Sequence, residues 1–329
     1  MSQVTIRDIA HATGLSAGTI SRALKNQAGM TDATRDRVLA AAHRLGYDFS
    51  QLRDVRIRRI AFTLHSQHNT LDSSPFFSSL LHGVEEACRR EGIALSFNVL
   101  GPAKPAFDQL RLHPPDAILC AGFFEPEVLQ ALQQTGRPMV LVDMHQRGFT
   151  SVNPDNVLGG FLATQHLLRS GRRRVAMLYG SLAHFSIQQR YRGFRRALFE
   201  SKLQADPDLE VNVMDLGDGE AGVIEAMRTL LGLPRPPDAV FCYNDSTALT
   251  AMKYCRSVGL NVPQEIAVVG FDDITAAAAA MPPLSTVRVD KEALGATAVD
   301  LLLRRKSDAP VAEIVMPVQL VLRESSCGD

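Results

Sequence analysis

Positions 16 to 26 read Ser-Ala-Gly-Thr-Ile-Ser-Arg-Ala-Leu-Lys-Asn: apolar Ile20, Ala23 and Leu24 among small, hydroxylated or cationic neighbours. An arginine carries a planar donor fork that can pair bidentately with guanine, and an alanine methyl can touch that of thymine. Arg22 and Ala17 are therefore candidates for reading base edges, with Gly18 permitting close approach. The hydroxyl and amide groups of Thr5, Ser16, Thr19, Ser21, Asn26 and Thr34 suit phosphate contacts, which position a duplex without specifying its sequence. A second set lies further along the chain. Phe123, Asp143, Asn244 and Asp272 each stand at or just past the end of a short apolar run. There Asp272 and Asn244 could hydrogen-bond hydroxyls, Arg190 could clamp oxygens or phosphate, and Phe76 could stack on a sugar ring. Singly, each also has a plain structural use as a helix cap, a surface ion pair or a core aromatic. Convergence on one cleft is what favours binding.

The elements that must position the first set are three short helices. Thr5 with Asp8 three residues later resembles a capping box and opens a helix through about Thr13, with Ile6, Ile9 and Ala10 on its inner face. Gly14 breaks it, and Leu15 can plug the turn. Ser16 is a good N-cap for a second helix to about Lys25. A third runs from Asp32 to about Leu45 behind Thr31, with Val38, Leu39 and Ala42 apolar. Two short helices with a glycine turn and a third completing the core describe a helix-turn-helix head. Three helices alone also describe a protein–protein module with a solvated Ser/Arg face.

From Arg58 onward, short apolar strands alternate with amphipathic helices, the pattern of parallel α/β sheets. Strands are expected at 60–64, 94–99, 117–121, 139–142, 175–179, 209–214, 239–242 and 266–270. Helices are expected at 76–91, 126–135, 156–170, 189–203, 221–231, 245–258 and 292–305. The plan repeats: Pro115-Asp-Ala-Ile-Leu-Cys120 returns as Pro237-Asp-Ala-Val-Phe-Cys242, and Arg58-Arg-Ile-Ala as Arg173-Arg-Val-Ala. Two such halves with a cleft between them describe a periplasmic-binding-protein-like body that closes about a hinge. Ligands of parallel sheets bind beyond the carboxyl ends of the strands, which selects the second residue set above. The expected division is a head at 1–49, a linker at 50–58 and a body at 59–329. Within the body, one half is 59–153 with 286–312 and the other 154–285 with 313–325.

Charge fits this division. The 329 residues balance at 35 Lys+Arg and 35 Asp+Glu, yet residues 1–60 hold ten cations against five acids. The head is thus basic and the body acidic, as for a chain whose head meets a polyanion. No apolar run reaches the roughly 18 residues a membrane span needs. The N-terminus carries no secretory h-region, so a cytoplasmic protein is expected. Five scattered cysteines form no CxxC, which argues against a disulfide framework or zinc site. No strand-linked GxGxxG, P-loop, GxSxG or HExxH occurs, so neither enzyme chemistry, metal nor cofactor is expected. The histidines, His65 and His184 among them, are assigned surface or core roles.

The run Val4-Thr-Ile-Arg-Asp-Ile-Ala, Gly14-Leu-Ser, Thr19-Ile-Ser-Arg-Ala-Leu, Thr34-Arg35, Val38, Ala41-Ala42 and Leu45-Gly46-Tyr47 resembles the head of the LacI/GalR repressor family. The resemblance continues through Ser74-Pro-Phe-Phe77, Asp155-Asn156, Arg190-x-x-Gly-Phe194, Asn244-Asp245, Gly270-Phe-Asp-Asp273 and Pro283-Leu-Ser-Thr286 to Leu322-Arg-Glu-Ser325. It implies that Ser16, Ala17, Gly18, Ser21 and Arg22 lie on the recognition helix and that Thr5, Thr34 and Tyr47 contact phosphate. It carries effector contacts to Phe76, Asp143, Arg190, Asn244 and Asp272. It implies a homodimer on a near-palindromic double-stranded operator, released or engaged by a small effector. A sugar or sugar derivative is the first expectation, with a purine or other metabolite as the alternative. A transport-type solute-binding protein is disfavoured by the head. Two departures stand out. The family's hinge helix, with its Asn-x-x-Ala-Arg-x-Leu pattern, is replaced by Asp48-Phe-Ser-Gln-Leu-Arg-Asp-Val-Arg-Ile-Arg-Arg. Leu52 or Val55 could wedge into the minor groove, but a basic linker is the preferred reading. The aromatic that often follows Gly-Asp near Gly217-Asp218 is here Gly219, so a stacking platform is missing. The chain also stops soon after Arg323-Glu-Ser without a leucine-rich tail, which favours a dimer over a tetramer.

Overall fold

In the computed structural model the described residues are 4–24, 29–47, 57–66, 75–100, 110, 113–304 and 310–327. Asn26, Leu52 and Val55 lie outside them, as does most of the expected linker.

The head is three helices, α1 (Ile6–Thr13), α2 (Ala17–Leu24) and α3 (Asp32–Leu45). Each start is locally encoded. The Asp8 carboxylate accepts from the Thr5 N–H and hydroxyl, both at 2.7 Å. Ser16 Oγ accepts from the Thr19 N–H at 3.1 Å, and Thr31 Oγ1 from the Thr34 N–H at 3.3 Å. These bonds satisfy donors that a helix N-terminus leaves open. Gly14 ends α1 in the left-handed region at φ 67°, where a Cβ is strained. Ile9, Ile20, Ala23, Leu24, Val38, Ala41, Ala42 and Tyr47 form a separate core.

The body holds two sheets. In the first, β1 (Arg59–His65), β2 (Ala94–Leu100), β3 (Ala117–Ala121), β4 (Met139–Val142), β5 (Thr150–Pro154) and β11 (Glu313–Met316) are ordered β11-β5-β4-β3-β1-β2 and all pair in parallel. In the second, β6 (Val175–Tyr179), β7 (Glu210–Asn212), β8 (Ala239–Cys242), β9 (Ala267–Asp272), β10 (Ser285–Arg288) and β12 (Gln319–Val321) are ordered β12-β10-β9-β8-β6-β7. Its edge strand β12 is antiparallel to β10. Helices α4 (Pro75–Arg90), α5 (Pro126–Gln133) and α11 (Lys291–Arg304) serve the first sheet. Helices α6 (Asn156–Arg169), α7 (Phe185–Glu200), α8 (Gly219–Leu231), α9 (Asp245–Ser257) and α10 (Thr275–Ala279) serve the second. Apolar clusters lie on both faces of each sheet, as parallel sheets require.

The repeated plan extends to the helix pairs. α4 packs on α11 and α6 on α7, each through glycines that let backbones meet. A Cβ on Gly160 would lie 2.2 Å from the Arg190 carbonyl oxygen, and one on Gly193 2.2 Å from that of Val157.

Several expectations are corrected. β10 belongs to the second sheet, paired Ser285↔Val269 through Arg288↔Asp272, and β11 to the first, paired Glu313↔Ser151 through Met316↔Pro154. The halves therefore exchange chain near 155, 289–290 and 317–318, not at 286 and 313. Sheet membership is fixed by the hydrogen-bond partner, which local sequence does not encode. The helix expected at 189–203 begins at Phe185 and ends at Glu200. The strand expected at 209–214 shrinks to Glu210–Asn212 between two 3₁₀ turns, the second started by Asn212 accepting from Met214 N–H at 3.2 Å.

Candidate operator and effector sites

On the head, Ser16, Ala17, Gly18 and Arg22 are exposed, and Thr19 and Ser21 half-buried, so α2 presents the expected face. Its hydroxyls are held at a helix start, where N–H groups and the helix dipole favour phosphate. Ser16 Oγ and Thr19 Oγ1 are 2.9 Å apart, as are Thr31 Oγ1 and Thr34 Oγ1 at 2.8 Å. Arg22 Nε donates to the Gly18 carbonyl at 3.3 Å, which lays the guanidinium along its own helix. Thr5 is exposed, whereas the Tyr47 side chain packs in the head core.

In the body, Phe123, Asp143, Asn244 and Asp272 stand at the carboxyl ends of β3, β4, β8 and β9, where a right-handed α/β crossover leaves a crevice. Asp143 and Asp272 have φ of 56° and 107°, a region that non-glycine residues rarely enter and that clusters at ligand sites. Arg190, from the buried side of α7, is the hub. Its Nε donates to Asn156 Oδ1 at 2.9 Å and its Nη1 to the Tyr243 carbonyl at 2.6 Å, while Nη2 lies 3.3 Å from Asp272 Oδ1. Its guanidinium carbon sits 3.7 Å above the Phe271 ring centre, a cation–π contact inside a dry pocket.

The three charged groups are almost wholly covered: Arg190 is 4% exposed, Asp272 6% and Asp143 8%. Burial pushes the Asp143 carboxyl up to about 7; Arg190 opposes this, Asp272 adds to it, and a hydrogen bond with Ser186 opposes it. Burial also raises Asp272, against the pull of Arg190 and Lys291. Oδ1 of Asp143 and Oδ1 of Asp272 are buried with no hydrogen-bond donor among the described residues. The Arg190–Asp272 approach is thus an ion pair without hydrogen-bond alignment.

The remaining candidates divide. Phe123 is half-buried and stacks on His184 at 5.1 Å between ring centres, and its neighbour His65 meets it edge-on at 5.8 Å. His145 similarly meets Phe185 at 5.5 Å. The Phe123–His184 and His145–Phe185 pairs join the two halves. Asn244 caps α9, accepting from the Thr247 N–H at 2.8 Å. Phe76 lies in the main core against Phe77, so its ring serves packing whether or not it also meets a ligand. A cavity of about 330 Å³ opens at the opposite end of β6, between Arg173, Arg174, Phe194, Leu198 and Leu209, away from this constellation.

Sequence reasoning passed over Asn156, Ser186 and Tyr243. Asn156 and Ser186 start helices after strands, a signal open to the same strand-end rule. Tyr243 acts through its backbone carbonyl and has no sequence signal. His184 was set aside as surface or core; burial and then the nearby His65 lower it to about 4.

Comparison with known proteins gives this geometry its context. Residues 5–49 match bacterial regulatory proteins of the lacI family, and residues 164–326 a periplasmic binding protein-like domain. The chain is 31% identical over 320 residues to the HTH-type transcriptional repressor PurR of Aliivibrio salmonicida, covering 92% of each chain. It is 32% identical over 335 residues to PurR of Pasteurella multocida, covering 98% of each. A solved transcriptional regulator CelR–cellobiose complex superposes with a TM-score of 0.75 at 28% identity, over 98% of this chain and 100% of that one. The lac repressor dimer bound to operator and the anti-inducer ONPF gives a TM-score of 0.73 at 24% identity, over 99% and 100%. With a head of three capped helices, a two-sheet body and full-length relatives, the chain belongs to the lacI family of bacterial regulatory proteins and is a DNA-binding transcriptional repressor of that family.

Proposed function

We propose that the protein is a cytoplasmic homodimer that binds a near-palindromic operator and answers to a sugar or sugar derivative held between the body's halves. Ala17 and Arg22 read base edges, Gly18 allows close approach, and Thr5, Ser16, Thr19, Ser21, Asn26, Thr34 and Tyr47 hold the backbone. A two-fold dimer matches two half-sites; the solved lac repressor complex, a dimer bound to operator, supports that assembly.

The observation that carries the effector reading is the buried carboxylate pair Asp143 and Asp272: among the described residues Asp143 Oδ1 has no hydrogen-bond donor, and Asp272 Oδ1 has the ion pair with Arg190 but no aligned hydrogen bond. Buried acceptors without donors cost roughly 1–3 kcal/mol each, and a ligand bearing hydroxyls would supply the donors. All three Arg190 nitrogens already face protein acceptors, which leaves this cation poorly placed to take a phosphate. Phe123 supplies a ring where Gly219 cannot. The cellobiose bound to the solved CelR complex fits this chemistry.

A purine is the second reading, favoured by the PurR names of the sequence relatives. Operator binding titrated with cellobiose, D-ribose, hypoxanthine and guanine separates the two. Operator release by a sugar supports the first reading, while a response to hypoxanthine or guanine alone replaces it with the second.

A further inference from the structure

Helix α11 begins with a lysine. Asp290 caps it, accepting from the Ala293 N–H at 2.9 Å, but a cation in the first turn opposes the helix dipole. Helix formation therefore does not call for Lys291, and its contacts lie elsewhere. Its ammonium donates to the carbonyl oxygens of Asp272, of Asp273 at 3.3 Å and of Val289 at 3.3 Å. That uses the three donors an ammonium has.

The first two carbonyls belong to the other half of the body. Asp272 and Asp273 end β9 of the second sheet, in consecutive positive-φ conformations of 107° and 50°. α11 itself packs on α4 and on the first sheet. The Asp273 side chain is already fixed, accepting from Arg288 Nε at 2.6 Å and Arg323 Nη2 at 2.7 Å. Among the described residues the Asp272 carboxylate is met by the ion pair with Arg190 alone. A backbone pair in an unfavourable conformation persists when its surroundings over-determine it, and here the main-chain carbonyls are held by Lys291.

We propose that Lys291 is the positioning residue for Asp272: it grips peptide carbonyls 272 and 273 and so aims that carboxylate into the cleft. Because Lys291 sits just past the 289–290 crossover, the same grip ties the end of β9 to a helix of the first half. Motion of Asp272 on ligand binding is thereby passed across the hinge. The inference rests on Asp272 being an effector contact, but the grip can be measured without any ligand.

The test is hydrogen–deuterium exchange of the full-length, ligand-free protein, comparing wild type with Lys291→Met, which keeps the aliphatic stem and removes the donors. Exchange over residues 270–276 is expected to rise about fivefold or more, while the strands of both sheets exchange as before. Operator affinity without ligand should stay within about twofold, since Lys291 is remote from the head. Unchanged exchange over 270–276, or an equal rise across both sheets, would overturn the proposal: the first leaves the lysine holding nothing, the second makes it a general stabiliser. A second arm titrates operator complexes of both proteins with cellobiose and hypoxanthine. Whichever releases the wild type should be needed at roughly tenfold higher concentration by Lys291→Met, a coupling loss of the usual size. If neither releases the wild type, the effector reading fails while the exchange result still decides the role of Lys291.

Discussion

Arg190 Nη2 stands 3.3 Å from Asp272 Oδ1, with side chains only 5% and 9% exposed, although the two residues come from different elements of the second half. Their approach depends on the Gly160–Arg190 and Gly193–Val157 backbone contacts that press α7 against α6. A buried pair of this kind contributes little net stability when intact, yet removing one partner strands the other in a medium that cannot solvate it.

Arg190→Ala is accordingly expected to cost stability as well as ligand response. The loss should be about 3–5 kcal/mol in urea denaturation, because Asn156 and the Tyr243 carbonyl lose their donor and Asp272 its ion-pair partner. Asp272→Asn keeps the shape and is the cleaner probe. It should bind operator as wild type does without effector and resist release by effector. An unchanged effector midpoint in that variant would place the ligand elsewhere.

Stability should depend on pH through Asp143. Its carboxyl titrates near 7 in the fold against an ordinary 3.8, chiefly through burial. Between those values the folded state holds a proton that the unfolded chain has released. The contribution is complete below about pH 4 and is lost as pH rises through about 7. Thermal midpoints should fall from pH 5 to pH 8, and Asp143→Asn should flatten the slope. Asp245, raised to about 7 mainly by burial, acts in the same direction and leaves a residual slope. His184, lowered to about 4 by burial, acts the other way below about pH 6.5, so the result that would contradict the assignment is an Asp143→Asn slope equal to that of wild type.

Arg22→Ala should weaken operator binding by roughly 1–3 kcal/mol and relax preference at one base pair per half-site. Electrophoretic competition with operators varied at each position reads this directly. Equal loss on every sequence would make Arg22 a phosphate contact.

Phe76→Ala should behave as a core deletion. With the ring 7% exposed in the main cluster, the expected cost is about 3–5 kcal/mol. Because Phe77 alone would remain, loosening of α4 should accompany it, seen as a lower denaturant midpoint. Weaker effector binding at unchanged stability would instead make Phe76 an effector contact.

What the sequence determined by itself is everything local. Thr5 with Asp8, Ser16, Thr31 and Gly14 start and stop the head helices through bonds within four residues, so residue type and spacing suffice to place them. The apolar runs at 117–121 and 239–242 announce buried parallel strands for the same reason, and strand ends point to Asp143, Asn244 and Asp272. Only the tertiary structure decided which of these come together. It drew Phe76 into the core and put Asp143 and Asp272 around Arg190. It also paired Ser285–Arg288 with β9 and Glu313–Met316 with β5, moving both crossovers, and it carried Lys291 from one half to the carbonyls of the other. These outcomes depend on long-range partners and on burial. The free energy of a carboxylate or an ammonium is set by what surrounds it in space, and a local stretch of chain does not contain those surroundings.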